Sequence, residues 1–461
     1  MIRNRESLAT TDAEELALEC VEAGIDAATP RRVVDAAVES SGEWLRIADD
    51  EYDLSRYERV LVVGGGNAAG HAAAAIEDVL GDRIDDGLVV TDNPVDTDVV
   101  RTAPGGHPVP TAEGVESTRR LLELAAEAGA EDLVLAPITG GGSALLAVPA
   151  DPVGLEDLQQ LTESLLDAGA TIHEINAVRK HLSAIKGGRL AERFGDATVA
   201  GLLFSDVAGD DRSVIASGPL VADGTTYADA VAVLEEYGID APDRVERRLR
   251  GGVDGDYPET PGPSDPAFET VRASVIASND TALSAAAETA QYRGFEPLRL
   301  GSRIRGEARE AAKALVGIAE SAAAIGTPIE PPAVLLSGGE TTVTIRGDGT
   351  GGPNQEFALS AALELARSGE VRSGDEGGET AQDDERARVT VVSVDTDGID
   401  GNASAAGALV SSRTVADERR ARAALADNDA TAYLDARDAL VETGATTTNV
   451  NDLRVIVVEA P

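Results

Sequence analysis

Short apolar runs that end in glycine, each followed by an alanine-rich stretch, recur along this chain of 461 residues. Residues 59–63 (RVLVV) run into GGGNAAG and an alanine-rich helix reaching about Leu80. Residues 87–91 (GLVVT) lead into a loop that holds GGHPVP at 105–110. A helix over about 112–129 precedes DLVLAPI at 132–138, which runs straight into TGGGSALL. Strand, glycine turn and helix in repetition predict a mostly parallel sheet covered by helices. Its ligands belong beyond the carboxyl ends of the strands. Residues 155–168 and the segment NAVRKHLSAIKGGRLAERF read as helical, and 198–204 (TVAGLLF) as a strand ending at Ser205-Asp206. Upstream, 10–47 read as helices with a polar break at 26–29.

At 251–265 the text turns to Gly, Pro and acid (GGVDGDYPETPGPSD), a natural domain boundary. It divides the chain into 1–255, a Rossmann-like N-terminal domain, and 265–461, a second α/β domain. The second half repeats the same grammar. Residues 271–277 form a strand ending in Ser278-Asn279-Asp280, and 333–336 run into SGGETTVTI. Residues 388–394 run into DTDGIDGNASAAG, and 453–458 close the chain as an apolar strand. The acidic, glycine-rich stretch 368–386 reads as an exposed insertion without a catalytic role.

Composition changes the picture in three ways. Lys+Arg number 39 against 82 Asp+Glu, a formal charge of -43. Self-repulsion of that size favours a folded protein with an acidic coat adapted to strong salt, which screens it. The same field repels a phosphate backbone, so nucleic acid is not the expected partner. Lysine has been almost eliminated: only Lys180, Lys186 and Lys313 remain, which marks the retained ones as candidates for chemistry. Cys20 stands alone, no apolar run has bilayer length, and the first residues do not resemble a signal peptide. A cytoplasmic protein without a membrane partner is expected, and base rates alone favour a homodimer.

Four glycine-rich turns could carry chemistry. Gly64–Gly70 places Gly66 and Asn67 where a phosphate could meet the backbone, and it reads equally as a tight structural turn. A dinucleotide fingerprint needs an acid about twenty positions on, and Asp92 comes late for that. Thr139-Gly140-Gly141-Gly142-Ser143 is a candidate anion nest, lacking the GKS or GKT of a Walker loop and the GxSxG of a hydrolase elbow. In the third turn Gly338 and Gly339 precede Glu340, which could meet a substrate hydroxyl or a metal. The fourth gathers Asp395, Asp397 and Asp400, either solvated or holding a hard cation such as Mg²⁺.

The segment 176–189 packs four cationic side chains into eleven residues of an acidic chain. As a helix it would put Arg179, Ser183 and Lys186 roughly on one face, with Lys180 off that line. Such a group neutralises transferring phosphates or a substrate carboxylate. Asp206, at a strand end, suits a base or a metal ligand, and Ser217-Gly218 follow in another tight turn. Asp210 and Asp211 could cap that turn instead. His107 is a candidate substrate contact. His71 reads as structural.

Taken together, GGHPVP, ITGGGSALLAVP, IHEINAVRKHLSAIKGGRLA, FSDVAGDDRSVIASGP, LLSGGETTVTIRG, GGPNQEFAL, DTDGIDG and TTTNVNDLRV resemble the bacterial and archaeal glycerate 2-kinase family, whose C-terminal half is the MOFRL domain and whose members are often labelled hydroxypyruvate reductases. The resemblance covers nearly the whole chain in order. With the acidic composition it points to a halophilic archaeon. It implies two α/β domains with an interdomain active-site cleft, ATP and Mg²⁺ as partners, and conversion of D-glycerate to 2-phosphoglycerate. It also implies ligand-binding roles for Asn354 and Glu356. Two positions depart from the family pattern: Asn67 stands where many members carry lysine (GKAA), and Pro353 where many carry arginine (GGRNQE). Lys186, Lys180 and Arg189 are then the cations expected to serve catalysis, with Asp206, Asp395 and Asp397 as candidate Mg²⁺ ligands. Three other readings stay open at this point: a kinase of another sugar acid, an NAD(P)-dependent hydroxypyruvate reductase, and a non-catalytic ligand-binding protein.

Overall fold

The run Arg59–Gly65 is buried at every position after its first, which only a strand covered on both faces can satisfy. The computed structural model, which describes residues 1–373 and 389–460, places it at the centre of a parallel sheet. Three short strands come first in the chain: β1 (Val38–Ser41), β2 (Trp44–Ile47) and β3 (Asp50–Asp53). They form an antiparallel meander. This corrects the expectation of helix through residue 47, since the helix ends at Ala37. Leu45 and Ile47 are buried while Trp44 and Arg46 are exposed, a period of two too short to stand out in a polar stretch.

The parallel sheet comprises β4 (Arg59–Gly65), β5 (Asp86–Thr91), β6 (Val100–Pro104), β7 (Asp132–Ile138), β8 (Thr198–Phe204) and β9 (Val271–Ala277). Its order is β6-β5-β4-β7-β8-β9, with every pairing parallel. The chain moves outward from β4 through β5 to β6, then returns to start again at β7. The reversal opens a crevice beyond the carboxyl ends of β4 and β7, the usual ligand position in such sheets.

The second sheet is built from β10 (Glu296–Glu307), β11 (Ala333–Thr342), β12 (Val389–Asp395), β13 (Gly407–Ser411), β14 (Leu440–Val441) and β15 (Asp452–Val458). Its order is β10-β11-β15-β12-β13-β14. Only β10 and β11 pair in parallel among the described residues. The closing strand β15 lies between β11 and β12 and runs against both. The mostly parallel arrangement expected of both halves is therefore found in the first sheet, and the second is mixed.

The chain divides into two compact units, each described by itself. One holds Pro30–Asp206 and Asp210–Ala277; the other holds Met1–Thr29, Val207–Gly209 and Ser278–Pro461. The division differs from the one expected at 255–265. That stretch is tied into the first unit, where the Asp223 amide donates to Pro261 O and Thr260 Oγ1 donates to Asp223 Oδ2. The N-terminal helix Asp12–Ala27 buries its apolar face against the helix Asn279–Tyr292 and β15, which joins it to the second unit. The stretch 368–386, read as an insertion, lies from residue 374 onward outside the described residues. Among the described residues, no helix is long and apolar enough to cross a membrane.

Candidate active site

The turn that leaves β7 shows why the sequence needs three glycines there. Gly141 has φ +73°, and a Cβ on it would stand 1.5 Å from Asn67 Oδ1. The turn is laced to the one leaving β4: the Asn67 amide donates to Gly140 O (2.8 Å) and the Ala68 amide to Thr139 Oγ1 (3.1 Å). Asn67 Nδ2 donates to Asp92 Oδ2 (2.9 Å), so Asp92 at the end of β5 is occupied in holding this turn. Asp206, directly after β8, lies beneath Gly140 and accepts the Gly141 amide. Burial raises its carboxyl above the usual range, against those hydrogen bonds and the field of His107. Gly66, Asn67, Gly140, Gly141, Gly142, His107 and Asp206 are thus brought together around the crevice.

Ser143 leads to a second cluster. Ser217 Oγ donates to Asn176 Oδ1 (2.9 Å), which leaves Ser143 as the donor in the 2.8 Å contact between the two hydroxyls. Ala216, Ser217 and Gly218 all adopt positive φ (49°, 63° and 63°). Left-handed backbone costs about 1–2 kcal/mol at a non-glycine residue, and such strain concentrates at functional sites. It is held by the Gly187 amide on Ser217 O (3.0 Å) and the Gly188 amide on Gly218 O (2.8 Å). The segment Lys186–Gly188 and the turn Ser217-Gly218 therefore fix one another.

Behind Ser143 lies a small cavity lined by Arg179, Ser183 and Lys186. The expected common face is present, though by another route: the helix Ile172–His181 ends before Ser183, and a turn carries Lys186 back to the cavity. The Lys186 ammonium is buried and donates to Leu146 O (2.8 Å). Burial and then the neighbouring Arg179 hold its proton affinity well below the usual lysine range. Desolvation pushes Arg179 down to about 10. Among the described residues no carboxylate pairs with either cation. Asn176 Nδ2 is also buried there without an acceptor. Arg179 belongs to the cationic face expected from the sequence; Asn176, three residues before it on the same helix, was not singled out, and the i, i+3 spacing was the available signal.

The other two basic candidates lie elsewhere. The Lys180 ammonium is buried against Asp223 (3.1 Å), whose other oxygen accepts from Thr260. Burial raises Asp223, but Lys180 and the Thr225 hydrogen bonds bring it net below the usual carboxylate range. Lys180 therefore serves as half of an internal ion pair. Removing one partner of such a pair strands the other charge. Lys180→Met is expected to cost about 3–5 kcal/mol in denaturant unfolding at neutral pH, and a cost under about 1 kcal/mol would contradict this assignment. Because the Asp223 carboxyl is depressed, its contribution is present above about pH 4 and is lost as the pH falls. Arg189 lines a neighbouring cavity that shares Val148 and Ser183 with the one around Lys186.

In the second unit the expected third turn is part of β11. Gly338 is needed because Asn279 packs on it: a Cβ there would stand 1.8 Å from Asn279 Oδ1. Gly339 follows in the same strand, and Glu340 is exposed. Asn354 and Glu356 are buried and held by protein partners. Asn354 Nδ2 donates to Asp452 (2.6 Å), and Glu356 accepts from Arg309 and Asn428 (both 2.6 Å). Pro353 opens the helix Pro353–Ser373, a position that suits proline because the first turn needs no amide partner. The carboxylates of the 395–400 loop act as backbone caps, Asp395 and Asp397 locally and Asp400 at the start of the helix Pro353–Ser373. Asp395 accepts the Asp397 amide, Asp397 accepts the Ile399 amide, and Asp400 accepts those of Asn354 and Gln355. Burial pushes Asp400 up to about 7, and burial with Asp397 and Asp452 holds the Asp395 carboxyl well above the usual carboxylate range. Among the described residues no three His, Cys, Asp or Glu side chains gather as a metal cage.

Comparison with known proteins follows this geometry. Residues 16–250 match a domain of unknown function, DUF4147, and residues 333–452 match the MOFRL family. The chain is 36% identical to a glycerate 2-kinase of Pyrococcus horikoshii, covering 97% of this chain and 98% of that one. It is 38% identical to a D-glycerate 2-kinase of Thermotoga maritima, covering 95% and 97%. An Agrobacterium vitis protein, named provisionally as a hydroxypyruvate reductase, is 41% identical over 93% of each chain. The crystal structure of a Thermotoga maritima glycerate kinase superposes with a TM-score of 0.80 at 37% identity, over 96% of this chain and 99% of that one. A Pyrococcus horikoshii crystal structure gives 0.81 at 36% identity, over 98% and 100%. Matched in sequence and fold along nearly its whole length, the chain belongs to the glycerate kinase family that carries the MOFRL domain.

Proposed function

We propose that this chain is an ATP-dependent glycerate 2-kinase, converting D-glycerate to 2-phosphoglycerate. The observation that carries the reading is the uncompensated positive cluster: Lys186 and Arg179 without a carboxylate, and an orphaned Asn176 Nδ2, behind Ser143. A buried donor without an acceptor costs about 1–3 kcal/mol. Two neighbouring buried cations also repel, so an anion is the natural complement. Phosphoryl transfer asks a protein mainly to position reactants and offset charge, which this arrangement does. Ser143 and the Gly140–Gly142 turn orient the anion, and Lys186 with Arg179 offsets its charge. Mg²⁺, when bound, would offset negative charge on the transferring phosphates, and Asp206 is the carboxylate that would hold it. Asn354, Glu356 and the carboxylates of 395–400 hold the backbone and buried side chains of the second unit. Asn67 carries no charge, so Lys186 and Arg179 take the part that a lysine there would play. The acidic coat fits a protein working in strong salt inside a cell.

The test is an ADP-release assay in concentrated KCl with Mg·ATP. ADP release that depends on D-glycerate is expected. NAD(P)H oxidation with hydroxypyruvate, in the absence of ATP turnover, would favour the reductase reading instead.

A further inference from the structure

A second cavity, of about 770 Å³ and open to solvent, lies in the first unit beside the helices Ala112–Ala126 and Arg189–Arg193. Four arginines line it: Arg119, Arg189, Arg193 and Arg248. In a chain with 82 acids for 39 bases, an arginine meets a carboxylate easily, yet none of these four has one within 4.0 Å among the described residues. Asp151 and Glu192 also line the cavity, and Asp151 engages Arg248 only through its backbone carbonyl (2.8 Å).

Two of the four are built in rather than loosely exposed. Arg248 is 8% exposed and stacks on Tyr257, its guanidinium carbon 4.1 Å from the ring centroid. Such stacking fixes the guanidinium plane without neutralising it. The Nε atoms of both Arg248 and Arg189 are buried without an acceptor. Burial, with Arg248 nearby, lowers the proton affinity of Arg189 against the opposing fields of Tyr227, Glu192 and Asp223. Arg119 and Arg193 are exposed at the rim. Fixed guanidinium groups below and exposed ones at the rim suit planar, bidentate anionic groups.

We propose that this cavity is a second anion site, separate from the catalytic cations, for a phosphorylated small molecule bearing two or more negative charges. Four guanidinium groups exceed what a single carboxylate or phosphate monoester can use. The net charge of the chain also excludes a nucleic-acid strand as the occupant.

The probe is inorganic pyrophosphate, titrated by calorimetry at the lowest KCl concentration that keeps the circular dichroism of the protein native. Saturable binding is expected. It should weaken by about tenfold or more in Arg119→Glu/Arg193→Glu, whose side chains are exposed and leave folding intact. It should persist in Arg179→Gln, which alters the catalytic cluster alone. Turnover of the double variant without pyrophosphate should stay within about twofold of the unaltered enzyme. Binding indifferent to the double charge reversal, binding abolished by Arg179→Gln, or no saturable binding at all would overturn the proposal.

Discussion

Lys186→Met is expected to lower kcat/KM by about 10²–10³-fold, the usual loss when one preorganised charge-stabilising donor is removed from a buried site. Stability should change little. The buried ammonium has no carboxylate and adjoins Arg179, so it costs the folded state energy, and its removal forfeits one hydrogen bond, to Leu146 O. That bond is worth about 1 kcal/mol, partly offset by relief of the unpaired charge. Thermal unfolding in the same KCl therefore separates this variant from Lys180→Met, where stability is the quantity lost. The two lysines also differ in pH response. Because the Lys186 ammonium loses its proton well below the usual lysine range, raising the pH removes the charge early. The alkaline limb of kcat/KM in the free enzyme should then fall below the pKa of an ordinary lysine. Wild-type kcat/KM in Lys186→Met would reduce this residue to a tether for the Leu146 carbonyl.

The second large effect belongs to Gly141→Ala. The new methyl carbon would stand 1.5 Å from Asn67 Oδ1 and 3.1 Å from His107 Cδ2, at φ +73°. Asn67 must give way, releasing Asp92 and pulling the turn after β4 from the turn after β7. Displacements near 1 Å in a positioning element cost about 10²-fold in rate, and that loss in kcat/KM is expected. Gly42→Ala is the matched control. Its φ is +59°, and a Cβ there meets nothing within 4 Å. It shares the backbone strain, about 1–2 kcal/mol, without the clash, so it should lose stability and keep its rate. Equal losses of activity in the two variants would show that the turn geometry does not matter to catalysis.

Most strands of the parallel sheet were legible as apolar runs that break off at a glycine or a short polar turn; β6 (VRTAP) was not, because Arg101 and Thr102 interrupt it. The boundaries expected for DLVLAPI, TVAGLLF and VRASVIA are those found, Asp132–Ile138, Thr198–Phe204 and Val271–Ala277. The meander was hidden because four-residue strands in polar sequence carry too few alternations to register. The direction of β15 was hidden for a different reason. An apolar strand does not announce its neighbours, and β15 pairs with two strands more than fifty residues upstream. The site divides in the same way. Glycine turns and retained lysines were readable as local features, and the geometry brings Gly140–Ser143, Ser217 and Lys186 together. What set Lys180 apart from Lys186 was Asp223, far along the chain in an acid-rich sequence that offers dozens of equivalent partners. Asp395 and Asp397 looked like cation ligands for the converse reason. Nothing local reveals that each caps an amide two residues on.

Phosphorus NMR of the reaction mixture is the most direct test of the central claim. The protein, shown to be folded in concentrated KCl, is mixed with Mg·ATP and D-glycerate, and the products are followed in time. A 2-phosphoglycerate resonance growing in step with ADP is the predicted result. Persistent ATP, or phosphate appearing on a different hydroxyl, would contradict it.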